Sequence, residues 1–369
     1  MRRSMNWIKI SFINIILVLA LISLVLLTPP AMYFIKTFLP TEKILDIDLS
    51  GLDLYKNFSW SKKFFVEYVA LEASYRDYIT WQTDDFVGET INVAGGVRHT
   101  FQDKALKKSD KEIWFFGGST TFGYGSIDDL TYPSIFARDN NIKTINYGSL
   151  GYITRQILEN LENVIINQHQ GRSEKKTTIV FFSGSMDVYT RCMAHSSKSG
   201  SAKESDLQNT VSEKKYSLSR TFSQALSFAK DLMLAVGEIQ DIPYNCHSNP
   251  DRAIFVANTI VEAWHLAAAV AKADKKLFFA VLEPVSYVGE ADVEYLDLDS
   301  KKNIQTTLKY QKEYDAVYSL VKKISREKGI NFIDLTQVFN GCNDCYIDPL
   351  HYSPQGNKRI SNALAPILH

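Results

Sequence analysis

From residue 111 onward the chain alternates short apolar runs with longer stretches of helical spacing. Residues 112–116, 144–146, 178–182, 276–282 and 331–335 read as strands. Their apolar positions are mostly continuous rather than alternating, as expected of strands covered on both faces. Between them, 152–168 sets Ile153, Ile157, Leu161, Val164 and Ile165 at helical intervals, and 253–273 and 305–328 read as two further helices. Ser353 and Pro354 open a last one, serine as the cap and proline at the first helical position, where its missing N–H costs nothing. Strands alternating with helices predict an α/β fold: a mostly parallel sheet with helices on both faces. In such sheets the reactive groups sit on loops beyond the carboxyl ends of the strands.

Three stretches break this rhythm. Residues 10–27 carry no charge, and their length is about 27 Å as helix, close to one hydrocarbon core. Arg2, Arg3 and Lys9 precede them, which favours a cytoplasmic N-terminus. With no clear cleavage site after the run, 1–40 reads as an uncleaved signal anchor and exit segment, a single pass, with a cleaved signal peptide as the alternative. Residues 41–110 are rich in Tyr, Phe and Trp without a clean period, and read as a membrane-proximal lead-in packing on a main domain of 111–369. Within that domain about 192–251 is polar and rich in Ser and Lys, with one apolar helical patch at 226–236. It reads as an insertion, either a flap over the site or a surface excursion.

Charge narrows the possible partners. Lysine plus arginine and aspartate plus glutamate are 41 each, so the net charge is zero. No basic excess marks a nucleic-acid surface. The four cysteines, Cys192, Cys246, Cys342 and Cys345, suit disulfides in an oxidising compartment, with three pairings open. Cys342 and Cys345 have CxxC spacing but no thioredoxin-like surroundings, and zinc lacks a second ligand pair nearby, so a structural bridge is expected. No metal and no organic cofactor is called for.

The chemistry concentrates in two places. "WFFGGSTTFGYG" ends an apolar strand in two glycines and then Ser119. A serine attacks only when a base takes its proton. Of the seven histidines, His99, His169, His195, His247, His265 and His369 have no acidic partner in a suggestive setting. His265, on an apolar helix, is expected as a core histidine. His351 differs: "YIDPLHYSPQGN" puts Asp348 three residues before it, after the last strand and just before the last helix. A carboxylate there can hold the imidazole in one tautomer and stabilise its charged form. Backbone N–H groups of Ser119 and of Gly151, in "NYGSLGY", could bind an oxyanion.

These segments resemble the SGNH/GDSL hydrolase superfamily. "GGST" with Ser119, "NYGSLGY" with Gly151, "SGSMD" (183–187) and "DPLHYS" with Asp348 and His351 follow that family's order of blocks, each after an expected strand. "ETINVAGGVRHTF", "GGSTTFGYG", "DDLTYPS" and "HYSPQGN" look more narrowly like its membrane-anchored bacterial branch, often linked to cell-surface polysaccharide. The resemblance spans about 112–369. It implies a flavodoxin-like three-layer α/β/α sandwich, a Ser119–His351–Asp348 acyl-enzyme mechanism and an oxyanion hole with N–H groups of Ser119 and Gly151. It further implies a domain outside the inner membrane of a bacterium, acting on O-acetyl or other short acyl esters of a polysaccharide. An O-acetyltransferase would use the same acyl-enzyme.

One position departs from the pattern. The third block of the family carries an asparagine whose amide is a further oxyanion donor, and here Met186 stands in its place. A thioether donates no hydrogen bond. This opens three alternatives: a slower hydrolase, a replacement donor from the insertion or from Ser185 one residue away, or an impaired module that only binds glycan.

Overall fold

The computed structural model describes residues 49–103, 110–168, 175–192, 246–296 and 301–368. The apolar run 10–27, the patch 226–236 and most of the 192–251 insertion lie outside the described residues, as do His169, His195 and His369.

After two short 3-10 turns (Leu49–Gly51 and Asp53–Tyr55) come helix α1 (Ser61–Val69), the hairpin β1 (Ala73–Arg76) and β2 (Thr80–Thr83), and three very short strands, β3 (Phe86–Val87), β4 (Asn92–Ala94) and β5 (Val97–Arg98). The regular part follows: β6 (Lys111–Gly117), the four-residue helix α2 (Ser119–Phe122), α3 (Tyr132–Asn140), β7 (Lys143–Gly148), α4 (Thr154–Gln168), β8 (Lys176–Ser183) and α5 (Ser185–Arg191). The chain continues through α6 (Pro250–Ala273), β9 (Leu277–Leu282), α7 (Lys301–Glu327), β10 (Phe332–Asp334) and α8 (Pro354–Leu368).

The main sheet runs β10-β9-β8-β6-β7-β5-β4-β3. The pairings from β10 to β7 are parallel. Strands β5, β4 and β3 continue the sheet antiparallel, so part of the 41–110 stretch is built into it. Strand β6 shows why its apolar run is unbroken: successive side chains serve opposite faces. Trp114 and Phe116 join a core with α4, α6 and α7 residues such as Leu161, Trp264 and Val317. Ile113 and Phe115 join a second with Phe136 of α3 and Ile360 of α8. The result is three layers.

Helix α6 is long and apolar enough to cross a membrane. Its Val256, Ile260 and Trp264 are fully buried in the first core, whereas Ile254, Phe255 and Leu266 are exposed, so packing accounts for one face of the helix. His265 is exposed, contrary to the expectation of a core histidine. It follows Trp264, whose side chain is the one taken into the core, and adjacent residues on a helix face different directions.

The cysteines pair as Cys192–Cys246 and Cys342–Cys345. Glu313 and Asp344 lie near the two bridges, but the sulfurs are committed to disulfides and are not thiolate ligands.

Candidate active site

The parallel strands end in register. Gly117 of β6 is paired with Gly148 of β7 and with Phe182 of β8, and Ser183 is paired with Leu282. Ser119, Gly151, Ser185 and Glu283 all follow within three residues of those ends. The two paired glycines let α2 lie directly on the strand ends. A methyl group on Gly117 would collide with the Thr121 side chain and the Phe182 carbonyl, and one on Gly148 with the backbone of Thr121 and Phe122. Gly117, before the serine turn, and Gly148 of "NYG" are therefore close-approach residues.

Ser119 begins α2 and is 8% exposed. Its Oγ lies 2.7 Å from Nε2 of His351. On the far side of that ring, Nδ1 lies 2.7 Å from Oδ2 of Asp348. Three side chains up to 232 residues apart in sequence thus form one hydrogen-bonded line. With Nδ1–H donated to Asp348, Nε2 is the nitrogen left to accept the serine proton.

The DxxH turn is held locally. Oδ1 of Asp348 accepts the Leu350 and His351 N–H groups at 2.8 and 2.9 Å. Ile347 N–H donates back to the His351 carbonyl at 3.0 Å, and Tyr346 and Tyr352 form an antiparallel bridge just outside. Burial acts to raise the Asp348 carboxyl. The facing His351, its ring N–H and the two backbone N–H groups outweigh that and hold it below the usual carboxylate range. The Tyr124 ring meets His351 edge-on at 4.6 Å between centroids, and Tyr68 of α1 packs at 4.6 Å on Tyr124.

Gly151 has φ +74°, the left-handed region that favours glycine. Neither its N–H nor that of Ser119 donates to another described residue. Met186 is half-buried in the first turn of α5. Ser185 does not substitute for the missing amide: its hydroxyl donates to Oε1 of Glu283 at 2.6 Å, and its N–H to the same oxygen at 2.8 Å. Two other described histidines have carboxylate contacts of their own. His99 does have a carboxylate neighbour, Asp128 Oδ2 at 3.9 Å, which spacing does not reveal, and His247 donates its backbone N–H to Glu313.

Several residues that sequence reasoning passed over complete the surroundings. Arg98 is fully buried and donates to Asp128 Oδ1 at 2.8 Å. It also donates to the carbonyls of Phe122 at 3.0 Å, Ser126 at 2.9 Å and Thr90 at 3.3 Å. It thereby gathers the carbonyls at the end of α2. Asn357 Nδ2 donates to Ser126 Oγ and to the Leu130 carbonyl. The four motifs "ETINVAGGVRHTF", "GGSTTFGYG", "DDLTYPS" and "HYSPQGN" are thus parts of one polar network around the serine turn. On the other flank Asp187 accepts the Thr154 N–H and hydroxyl at 2.8 and 2.6 Å, tying the second block to the third. A charged residue closing an apolar strand, as Glu283 closes "LFFAVL", is the signal that could have flagged that position.

No protein-family model matches this chain, and no curated protein matches it. Among solved structures it is similar to a member of the lipolytic G-D-S-L family from Veillonella parvula, at 14% identity and a TM-score of 0.39, over 70% of this chain and 97% of that one. It is similar to an acetylxylan esterase from Geobacillus stearothermophilus at 13% identity and a TM-score of 0.39, over 70% and 94%. It is also similar to a carbohydrate acetylesterase from Sinorhizobium meliloti at 11% and 0.35, over 70% and 97%. At those scores the chemistry of the site rests on this chain's own residues, whose motifs resemble the SGNH/GDSL superfamily.

Proposed function

We propose that this protein is a serine ester hydrolase working through an acyl-enzyme. The observation that carries the reading is the line Ser119 Oγ, His351 Nε2, His351 Nδ1, Asp348 Oδ2, with both contacts at 2.7 Å. Ser119 Oγ attacks an ester carbonyl while His351 takes its proton. Asp348 fixes the tautomer and stabilises the imidazolium that forms. The N–H groups of Ser119 and Gly151 hold the oxyanion. Collapse expels the alcohol, which receives its proton from His351, and water then releases the acid by the same steps.

With Met186 in the third block, this hole works with backbone donors alone. Loss of one oxyanion donor costs roughly 10²–10³ in kcat, so a working but slow enzyme is expected. The substrate we favour is an O-acetyl or other short acyl ester on a polysaccharide. The motif resemblance and the uncharged 10–27 run support it, as an inner-membrane anchor with the domain outside the cytoplasm. Two disulfides among the described residues suit that oxidising side.

The test is acetate release from an acetylated oligosaccharide by the wild type and Ser119→Ala. Activity lost with serine supports the reading, and full activity without it contradicts the reading. Adding unacetylated oligosaccharide separates water from sugar as acceptor: acetyl appearing on the added sugar would make the protein an O-acetyltransferase. Glycan binding with no turnover would make it a binding module.

A further inference from the structure

We infer that Glu283 is a positioning residue of this site, holding the serine turn and the third block in mutual register; the inference rests on the ester-hydrolase reading. Glu283 follows β9 directly and is 3% exposed. Its Oε2 accepts the Thr120 hydroxyl at 2.7 Å. Its Oε1 accepts the N–H and hydroxyl of Ser185 at 2.8 and 2.6 Å. One side chain therefore joins the residue after the nucleophile to the residue before Met186. The Glu283 backbone is held too: its N–H donates to the Ser183 carbonyl, and its carbonyl accepts the Tyr318 hydroxyl at 3.3 Å.

The reason such a group matters is the length of α2. Four residues cannot hold a helical turn by their own hydrogen bonds, since a first turn costs more backbone entropy than its bonds return. Each residue after the serine is instead tied outward. Phe122 offers its carbonyl to Arg98, and Thr121 offers its carbonyl to Asn146 Nδ2 and meets Tyr132 with its hydroxyl. Thr120 is tied to Glu283. Of these ties, the one at Thr120 lies next to Ser119 and reaches across to the third block. In a hole that relies on backbone N–H groups, whose placement cannot be adjusted by a side-chain rotation, that register decides how well the oxyanion is met.

Simple stapling is a weak alternative explanation. A buried carboxyl is a costly staple, and an apolar residue of similar volume is often as stabilising or more so. Burial pushes the Glu283 carboxyl up from its usual range, with Asp187 adding to the push against the opposing donors, Ser185 and Thr120.

The experiment compares Thr120→Val, Ser185→Ala, Glu283→Ala and Glu283→Gln in the full chain. It reads kcat and KM on p-nitrophenyl acetate per serine titrated by a fluorophosphonate. A small misplacement of reacting groups costs up to about 10²-fold. Thr120→Val and Glu283→Ala should therefore lower kcat about 10- to 100-fold with KM within about twofold, and Thr120→Val should exceed Ser185→Ala. Glu283→Gln keeps an acceptor for Ser185 and offers Thr120 an N–H, so it should restore kcat to within about fivefold of wild type. If Glu283→Ala does not fold, Thr120→Val, nearly the same shape, decides alone. An active wild type whose Thr120→Val keeps full kcat per titrated serine overturns this inference and leaves the hydrolase reading standing. A wild type neither labelled nor active overturns both.

Discussion

The two flanks of Ser119 are built to different standards. On the acid–base flank, Asp348 and His351 use their ring and carboxyl atoms in a continuous line to the serine, and Asp348 is further satisfied by two backbone N–H groups. On the oxyanion flank, the side-chain donor that the motif pattern calls for is a thioether, and the neighbouring Ser185 hydroxyl is committed to Glu283. Under the proposed mechanism, the comparison teaches that proton transfer and charge stabilisation can be kept to different degrees within one site. The first needs three side chains in line, whereas the second can fall back on main-chain N–H groups.

The largest effect that would break the comparison lies on the complete flank. Asp348→Asn should lower kcat by about 10⁴ with the fold intact, because the amide turns the imidazole to the wrong tautomer. Steady-state kinetics beside an unchanged circular dichroism spectrum would check it, and a loss below tenfold would mean that the line does not act as a unit. The next sharpens the incomplete flank. Met186→Asn should raise kcat by about 10²-fold if the amide reaches the oxyanion. An unchanged or lower kcat would show that Met186 does not sit at the donor position.

Arg98 tests what supports both flanks. Arg98→Met removes the guanidinium facing Asp128, leaving that carboxylate only the Asn92 donors and His99, and leaves the carbonyls of Phe122 and Ser126 without the Arg98 donor, so urea unfolding should show a loss of about 3–5 kcal/mol. The smallest effect is one of pH. Glu283 has a folded-state value raised above the ordinary carboxylate value, so its contribution is complete below the ordinary value and lost as pH rises through the raised one. Relative to wild type, Glu283→Gln should therefore gain stability across that window, by at most about 1.4 kcal/mol per pH unit. A stability difference that does not vary with pH would contradict the raised value.

The parallel strands and four of the helices were legible because continuous apolar runs such as 113–116, 179–182 and 277–282 can hardly be satisfied except between two covering layers, whereas the helices Tyr132–Asn140 and Ser185–Arg191 were not read from the sequence. The line of Ser119, His351 and Asp348 was legible because hydroxyl, imidazole and carboxylate followed strand ends in order. Strands β3 to β5 were not, since two or three residues carry no period. Nor were the partners of Arg98, Asn357 and Glu283, because their contacts join positions up to 231 residues apart and spacing says nothing of such distances. The apolarity of 253–273 does not place His265, because that helix is covered on some faces only and Glu262, His265 and Leu266 are exposed.

The central claim is that Ser119 is an activated nucleophile, and covalent labelling tests it most directly. A fluorophosphonate should add once per chain, on the peptide carrying Ser119, and the adduct should vanish in Ser119→Ala and form at least about 100-fold more slowly in His351→Ala. A folded wild type that takes no label, or takes it on another residue, would contradict the account.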